Sequence, residues 1–290
     1  MSLSEIKELC KKYNVIPDKS KGQNFLVCAD TLKKIVESAR LKKTDIVLEV
    51  GPGFGILTKE LSKNSKRVIA VELDEKIFKI AKKKFKDIKN VEFINKNIVQ
   101  LNDKQIQELI GTDLNYKIVA NLPYNITGKF LKNFLTINNK PKEMILMVQK
   151  EVAERICANK GKMSILSVSA QYHSYPEIIS IVDKSCFYPI PAVDSAIIRL
   201  VTKSAGLDNA TLDFEKTFFR IVKIGFSARR KMLKNNLYNG LKSIYKNIIQ
   251  DDLECVLRKC DLDVKVRAQG LSVEDWKKLV YEILQYKKYE

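Results

Sequence analysis

The stretch VLEVGPGFGILTKEL (residues 47–61) consists of an apolar run, a glycine-rich turn and the start of an amphipathic helix. Gly51, Gly53 and Gly55 allow the backbone to take positive φ angles, or to approach a ligand closely, where a Cβ atom would collide. A buried strand, a tight turn and a helix form the first half of a βαβ unit, in which ligands bind at the carboxyl end of the strand. The stretch therefore predicts a parallel sheet with a ligand site beside this turn.

The spacing of the glycines indicates which kind of ligand fits. A dinucleotide-binding turn follows the pattern G-x-G-x-x-G, and its third glycine seats the helix that holds a pyrophosphate. Here the third glycine comes one residue early, and Ile56 takes its place. Glu72 ends the next apolar run, where a carboxylate can accept hydrogen bonds from both ribose hydroxyls. The pattern favours a nucleoside cofactor without a pyrophosphate, although a glycine turn alone can also be purely structural.

On both sides of this turn, strand-like runs alternate with helical stretches. The runs cover residues 45–50, 67–73, 91–95, 117–122 and 143–148, and two further strands joined by a proline-bearing loop are predicted within 177–203. This alternation predicts an α/β domain with a mostly parallel sheet that is covered on both faces. We expect a catalytic domain over 1–203 with an N-terminal helical segment, a polar linker over 204–213, and an all-helical domain over 214–290, in which ARRKMLKNNLYN (228–239) is one helix.

The segment NLPYNIT (121–127) ends the fourth of these strands. Pro123 removes a hydrogen-bond donor and fixes φ, so that Asn121 and Tyr124 point outward and nearby carbonyls stay free to accept. An asparagine oxygen and a carbonyl can bind the two hydrogens of an exocyclic amine, and a tyrosine face can stack on the attached ring. This arrangement suits methyl transfer to adenine N6, which requires an aligned amine and no strong base. A strand that simply ends at a proline turn is the alternative.

Charge and composition limit the possible partners. The chain has 290 residues and a formal net charge of +18, which suits a polyanion, because each phosphate contact releases counterions. Residues 214–246 contain nine Lys or Arg and a single acid, Glu215. A lysine-biased composition or a solvated helix face would also explain part of this charge. The expected phosphate-binding face consists of Arg220, Lys223, Arg229, Arg230, Lys231 and Lys234.

Several classes of protein are disfavoured. His173 is the only histidine, and the six cysteines contain no C-x-x-C pair. A zinc cluster, a histidine base and a disulfide framework are therefore not expected, and we expect reduced, mostly buried thiols. No apolar run approaches the roughly 18 residues that a membrane span needs, and the N-terminus lacks the pattern of a signal peptide. We expect a cytoplasmic protein without a metal or a membrane contact.

With its glycine turn, Glu72 and the NLPYNIT segment, the sequence resembles the rRNA adenine N6-dimethyltransferases, and most of all the bacterial small-subunit (KsgA) type. The resemblance implies a Rossmann-like class I S-adenosylmethionine-dependent methyltransferase domain, with a mostly parallel seven-stranded sheet, and a small helical C-terminal domain that binds rRNA. The segments that carry it follow the family order, and they are KGQNFL (21–26), EVGPGFGILT (49–58), AVELD (70–74), NLPYNIT, VQKEVAERICA (148–158), CFYPIPAVDSAIIRL (186–200), GFSARRKMLKNNL (225–237) and RAQGLSVEDW (267–276).

The resemblance also implies roles for individual residues. The target adenine is expected between the rings of Tyr124 and Phe187, within a catalytic set of Asn121, Leu122, Pro123, Tyr124 and Phe187. Asn97 stands where the family usually has an acid, and its oxygen can still accept a hydrogen bond from the cofactor's adenine, so weaker cofactor binding is expected. The S-adenosylmethionine contacts are expected at Gln23, Asn24, Leu26, Gly51, Gly53, Glu72, Leu73, Asn97, Ile98 and Asn121.

The family modifies two adjacent adenines, twice each, in the 3′-terminal hairpin loop of 16S rRNA, which implies base flipping and a role in small-subunit biogenesis. The implied partner is 16S rRNA within the immature small subunit, and we expect a monomer, since no apolar stripe requires a dimer. Two alternatives remain. The same chemistry on large-subunit rRNA is disfavoured by the FYPIPAVDS loop, and a binding protein that only kept the fold is disfavoured by the intact signature from Asn121 to Tyr124.

Overall fold

The computed structural model describes residues 2–18, 22–111, 115–203, 209–242 and 249–286. Lys21, the first residue of KGQNFL, and residues 204–208 of the predicted linker lie outside this part. The chain forms two compact units, Met1–Glu154 with Ser174–Lys203, and Arg155–His173 with Ser204–Glu290. The first unit ends at Lys203, as the predicted catalytic domain does, and the division differs from that prediction in residues 155–173. Residues 155–173 belong to the helical unit, because Met163 and Val168 pack in its core.

The first unit contains the strands and the first helices. Its strands are β1 (Phe25–Leu26), β2 (Ile46–Val50), β3 (Arg67–Glu72), β4 (Val91–Asn95), β5 (Tyr116–Asn121), β6 (Glu143–Gln149), β7 (Ser174–Val182), β8 (Phe187–Tyr188) and β9 (Ser195–Thr202). Its helices are α1 (Leu3–Lys12), α2 (Ala29–Ser38), α3 (Ile56–Asn64), α4 (Glu75–Lys84), α5 (Asp103–Ile110) and α6 (Thr127–Thr136). The chain passes into the second unit within α7 (Lys150–Ile156).

Seven of the strands form one sheet with the order β4-β3-β2-β5-β6-β9-β7. The strands from β4 to β6 in this order are parallel, whereas β9 runs antiparallel to both β6 and β7. All five residues of β2 are buried, and a strand that is buried along its whole length is typical of a parallel sheet covered on both faces. The predicted α/β class, the parallel sheet and the antiparallel closing strands are confirmed.

A second, two-stranded sheet joins β1 and β8, with Leu26 opposite Phe187. This pairing brings Cys28 and Cys186 together with their Cα atoms 5.0 Å apart, and the two residues form a disulfide. The expectation of reduced thiols is therefore wrong for this pair. The two cysteines are 158 positions apart, and spacing alone does not reveal a contact at that separation. Among the described residues, the free thiols belong to Cys10, Cys157, Cys255 and Cys260.

The second unit is helical. Its helices are α8 (Ile165–His173), α9 (Asn209–Gly225), α10 (Leu233–Leu241), α11 (Gln250–Lys259) and α12 (Val273–Tyr286), and its core surrounds the fully buried Trp276. Because α9 begins at Asn209, residues 209–213 of the predicted linker are helical. Ala210 and Leu212 favour a helix, and the polar character of their neighbours concealed its start. No helix in the described ranges is long and apolar enough to cross a membrane.

The prediction of a continuous helix over 228–239 is wrong, because a turn separates α9 from α10. The Asn236 side-chain amide donates to the carbonyls of Gly225, at 2.7 Å, and Ala228, at 3.0 Å. The backbone N–H of Leu233 donates to the Val266 carbonyl at 2.8 Å. These hydrogen bonds hold the turn in place, so the basic residues 229–231 lie on a loop rather than on a helix face.

Candidate active site

A cavity of about 200 Å³, partly open to solvent, lies at the carboxyl ends of β2, β3 and β5. Its wall includes the glycine turn, the end of β3 and the segments 22–26 and 96–98. From NLPYNIT it includes Asn121, Pro123, Asn125 and Ile126. This is the edge of the sheet at which the sequence predicts a ligand. The cavity therefore brings together parts of the chain that are up to about 100 residues apart.

The glycine turn begins α3 and forms the floor of the cavity. Gly51, Gly53 and Gly55 have φ angles of +65°, +57° and +79°, in the left-handed region that favours glycine. A Cβ atom on Gly55 would lie 2.3 Å from the Phe85 ring, so this position also requires glycine for close packing. The third glycine is thus required where the turn contacts Phe85, the residue that follows α4.

Two buried carboxylates face the cavity. Glu72 is 7% exposed, and its oxygens accept hydrogen bonds from the backbone N–H groups of Gly53, at 3.2 Å, and Asp74, at 2.9 Å. Burial raises the pKa of Glu72, and these two N–H groups act in the opposite direction. The bonds hold the carboxylate at the strand end, where the sequence predicts a partner for ribose hydroxyls.

The second carboxylate, Glu49, was not predicted from the sequence as a site residue. It lies within β2, is 1% exposed, and its Oε2 atom has no hydrogen-bond partner among the described residues. Burial raises the pKa of Glu49 to about 8, and the nearby charge of Glu72 acts in the same direction. An acid inside the otherwise apolar VLEV is the sequence signal that could have identified it.

Leu73, Asn97 and Ile98, three of the residues predicted to contact a cofactor, line the cavity. Leu73 is 57% exposed and offers an apolar surface that a flat base can cover. The Asn97 side-chain oxygen accepts a hydrogen bond from the Val99 N–H at 3.3 Å, which caps the short helix Ile98–Gln100. That oxygen keeps a second lone pair for a ligand, so the predicted contact of Asn97 stays compatible with the structure.

At the end of β5, the orientation of Asn121 is set by another segment. Its side-chain N–H donates to the Asn24 carbonyl at 3.0 Å. This bond directs the nitrogen of the amide toward the N-terminal segment and leaves the side-chain oxygen available to accept. Within the described part of the chain, neither this oxygen nor the Leu122 carbonyl accepts a hydrogen bond. These are the two acceptor types that the sequence predicts for binding an exocyclic amine.

The next three residues, Leu122 to Tyr124, are held in place by burial, packing and a hydrogen bond. Leu122 is 1% exposed, so only its backbone can contribute to the site. Gly22 packs against the next turn, and a Cβ atom there would lie 3.1 Å from Pro123 Cβ and 3.2 Å from the Tyr124 nitrogen. The Tyr124 hydroxyl lies 2.7 Å from Ser195 Oγ. Burial raises the pKa of the Tyr124 phenol, and this hydrogen bond acts in the opposite direction.

The predicted cofactor residues of the N-terminal segment also line the cavity. Gln23 accepts a hydrogen bond from the Asp18 N–H at 2.9 Å and donates to Asp74 at 3.4 Å, which ties this segment to the start of α4. Leu26 is buried in β1. The Phe25 ring stacks on Phe54 of the glycine turn at 4.8 Å. The segment therefore covers the turn and forms one wall of the site.

Phe187 does not line the cavity. It is 1% exposed and packs in a core cluster with Leu26 and Ile197, because the pairing of β8 with β1 turns its ring inward. Tyr124 is not part of the cavity wall either, but it is half-buried, whereas no face of the Phe187 ring is open to a base. Of the two rings expected to enclose the adenine, the structure brings only Tyr124 next to Asn121.

In the second unit, five of the six predicted RNA-binding side chains are exposed. Arg220 and Lys223 lie on α9, and the other three lie on the loop before α10. Lys234 differs, since it is half-buried and forms an ion pair with Glu254. The Lys234 ammonium group is thus engaged within the unit by this ion pair. The exposed set is Arg220, Lys223, Arg229, Arg230 and Lys231.

The donors and acceptors of the cavity fit S-adenosylmethionine. The cofactor carries a ribose diol and a purine, and the cavity offers the Glu72 carboxylate, an apolar rim and an unpaired buried oxygen on Glu49. Within the described ranges, no group of three or more His, Cys, Asp or Glu side chains is arranged to hold a metal ion. His173 is 2% exposed in the helical unit and is not part of the cavity wall.

Comparison with known proteins gives consistent matches along the chain. A family model described as ribosomal RNA adenine dimethylase matches residues 17–284. The ribosomal RNA small subunit methyltransferase A of Dehalococcoides mccartyi strain CBDB1 is 41% identical over 280 residues, which cover 97% of this chain and 93% of that protein. The protein of the same name from Clostridioides difficile strain 630 is 38% identical over 277 residues, which cover 93% of this chain and 92% of that protein.

Two solved structures are also similar. A dimethyladenosine transferase from Plasmodium falciparum has a TM-score of 0.72 and 26% identity, over 91% of this chain and 98% of that one. The 23S rRNA methyltransferase ErmE has a TM-score of 0.71 and 24% identity, over 90% of this chain and all of that one, and it supports the fold alone.

Proposed function

Since the chain belongs to the ribosomal RNA adenine dimethylase family, we infer that it transfers methyl groups from S-adenosylmethionine to N6 of adenines in small-subunit rRNA. The substrate we propose is the pair of adjacent adenines in the 3′-terminal hairpin loop, each methylated twice. The observation that carries the proposal is the orientation of Asn121, which lines the cavity and whose side-chain N–H donates to the Asn24 carbonyl, so that its oxygen stays available as an acceptor.

The residues of the cavity divide into two groups. Glu72, Leu73 and Asn97 would bind the nucleoside part of the cofactor, and the glycine turn gives it room. S-adenosylmethionine, when bound, supplies an electrophilic methyl group on a sulfonium. The Asn121 oxygen and the Leu122 carbonyl would each accept one N–H of the adenine amine, which fixes the direction of the nitrogen lone pair.

No strong base is needed for this reaction. The amine becomes acidic once it is alkylated, so it loses a proton readily to solvent, and orientation is the main task of the protein. Tyr124 provides the aromatic surface on which the adenine would stack. For Phe187 to contact the other face of the base, the segment with β8 would have to rearrange, because the ring is buried in the core cluster with Leu26.

The second unit offers a surface for the rest of the substrate. We propose that its exposed arginines and lysines bind rRNA phosphates, which fix the position of the RNA without reading its sequence. Lys234 is left out of this surface because it pairs with Glu254. We further propose that the protein acts in the cytoplasm as a monomer, on 16S rRNA within the immature small subunit.

Transfer of labelled methyl groups tests the proposal on three substrates: unmethylated small subunits, large subunits and free rRNA. We expect dimethyladenosine on the small subunits alone. Transfer to large subunits instead, or tight binding of small subunits without any transfer, would contradict it. Asn121→Ala should lower the turnover about 100-fold or more, as for the loss of an oriented polar group in a reaction site. Asn133→Ala is the control, since that amide donates to the Val99 carbonyl at 3.0 Å and does not line the cavity.

A further inference from the structure

The hydrogen bond between Tyr124 and Ser195 joins the ring of the proposed stacking residue to a distant strand. The two oxygens are 2.7 Å apart, and the residues are separated by 71 positions in the sequence. Ser195 has no exposed surface, so it cannot touch a substrate in this structure. Its hydroxyl lies instead at the far end of the Tyr124 side chain.

The position of Ser195 is fixed by its backbone. It begins β9, where it pairs with Gln149 of β6 on one side and Val182 of β7 on the other. The preceding residue, Asp194, accepts the Lys150 N–H at its carbonyl, at 3.0 Å, and the Lys184 N–H at its carboxylate, at 3.2 Å. Because these contacts come from both neighbouring strands and the segments beside them, the Ser195 oxygen has little freedom to move.

For Tyr124, the contacts that hold the backbone are distinct from the contact at the hydroxyl. The residue begins the short helix Tyr124–Ile126, which has no side-chain cap, and Gly22 supports only its backbone. A tyrosine ring has two free torsions, so a fixed backbone alone does not fix the plane of the ring. A hydrogen bond at the hydroxyl constrains both torsions, because it holds the end that is farthest from the backbone.

We propose that Ser195 is a positioning residue for methyl transfer, which holds the Tyr124 ring in the plane on which the target adenine stacks. The role rests on the proposed function, since it concerns the same site. Ser195 acts through Tyr124, and an error of about 1 Å in the placement of a reacting group can lower a rate by about 100-fold. Loss of the hydroxyl should therefore lower turnover, with little effect on the binding of S-adenosylmethionine.

The experiment compares Ser195→Ala, Tyr124→Phe and the double variant, each as the full chain, with unmethylated small subunits as substrate. We expect each single variant to lower kcat by about 10- to 100-fold, with an unchanged Kd for S-adenosylmethionine. The double variant should be no slower than either single variant, because both changes remove the same contact. Ser65→Ala is the control, as that buried serine donates to the Leu61 carbonyl at 2.8 Å and lies outside the cavity.

A second pair of variants separates the hydroxyl from packing. Ser195→Thr and Ser195→Val add similar volume and differ in the hydroxyl group. Higher turnover of the threonine variant supports the positioning role, and equal turnover of the two overturns it. A Ser195→Ala variant with wild-type kcat, or independent losses that multiply in the double variant, also overturns it. If the wild-type chain transfers no methyl groups to any substrate, the proposed function fails first, and the positioning role fails with it.

Discussion

Replacing Gly55 by alanine should destabilise the first unit more than the same change at Gly51, although both glycines have positive φ angles. At Gly55 the φ angle is +79°, and the added Cβ atom would lie 2.3 Å and 2.6 Å from two atoms of the Phe85 ring. At Gly51 the φ angle is +65°, and the nearest atom would be 3.5 Å away, which is an ordinary contact. The two changes therefore share backbone strain and differ in packing.

The magnitude follows from these two terms. An L-residue in the left-handed region costs about 1–2 kcal/mol, which applies to both variants. Insertion of a methyl group into a packed core costs about a further 1–3 kcal/mol, which applies only at Gly55. Phe85 cannot move away freely, since it is 4% exposed and packs on Phe93 with ring centroids 5.3 Å apart. We expect a total loss of roughly 2–5 kcal/mol for Gly55→Ala and roughly 1–2 kcal/mol for Gly51→Ala.

Urea denaturation of the ligand-free protein measures both values, with the fluorescence and circular dichroism transitions compared for coincidence. A Gly55→Ala/Phe85→Leu double variant tests the source of the difference. Because leucine is smaller than phenylalanine, the combined loss should be less than the sum of the two single losses. Equal losses for Gly55→Ala and Gly51→Ala, or strict additivity in the double variant, would refute the collision with Phe85.

Two further predictions concern ionised groups. The pKa of Glu49 is raised from 4.5 to about 8, so between these pH values the folded chain keeps a proton that the unfolded chain releases. The contribution of Glu49 should therefore make the free energy of unfolding fall as pH rises from 4.5 to 8. The contribution of Glu49 to this slope is at most about 1.4 kcal/mol per pH unit. Denaturation of Glu49→Gln at several pH values should show a slope without this contribution. An unchanged slope would contradict a neutral, buried Glu49. Replacing Arg229, Arg230 and Lys231 together by alanine should weaken RNA binding and lower the slope of log Kd against log salt by up to about 3, with cofactor affinity unchanged. The matched removal of three exposed lysines around the end of α4, at residues 83, 86 and 89, should have a smaller effect, and equal effects would argue against a dedicated surface.

The sequence was sufficient to predict the sheet and the edge at which the cavity lies. The structure of residues 47–61 could be predicted because it depends on neighbouring residues: apolar strand residues, glycines with positive φ and a helix follow one another along the chain. Glu72 and Asn121 could be placed for the same reason, since each ends a strand of a parallel sheet and the ends of such strands meet at one edge. Local patterns with a fixed topology therefore predicted most of the cavity wall.

The features that were missed depend on contacts between distant segments. The disulfide of Cys28 and Cys186 and the burial of Phe187 both follow from the pairing of β1 with β8, two strands of only two residues each. Such short strands leave no periodic signal in the sequence. The ion pair of Lys234 with Glu254 likewise joins two helices, so counting charges along the chain overestimated the basic surface.

The segment from Gly22 to Leu26 connects the two halves of the cavity. The Asn24 carbonyl orients Asn121, Gly22 packs against the backbone of Tyr124, and Phe25 stacks on Phe54 of the glycine turn. The proposed acceptors for the amine and the wall of the cavity thus share one support. Backbone carbonyls, amide groups and aromatic contacts, rather than an ionised base, hold these groups in position. That is the arrangement expected for a reaction whose main requirement is a correctly aligned neutral amine.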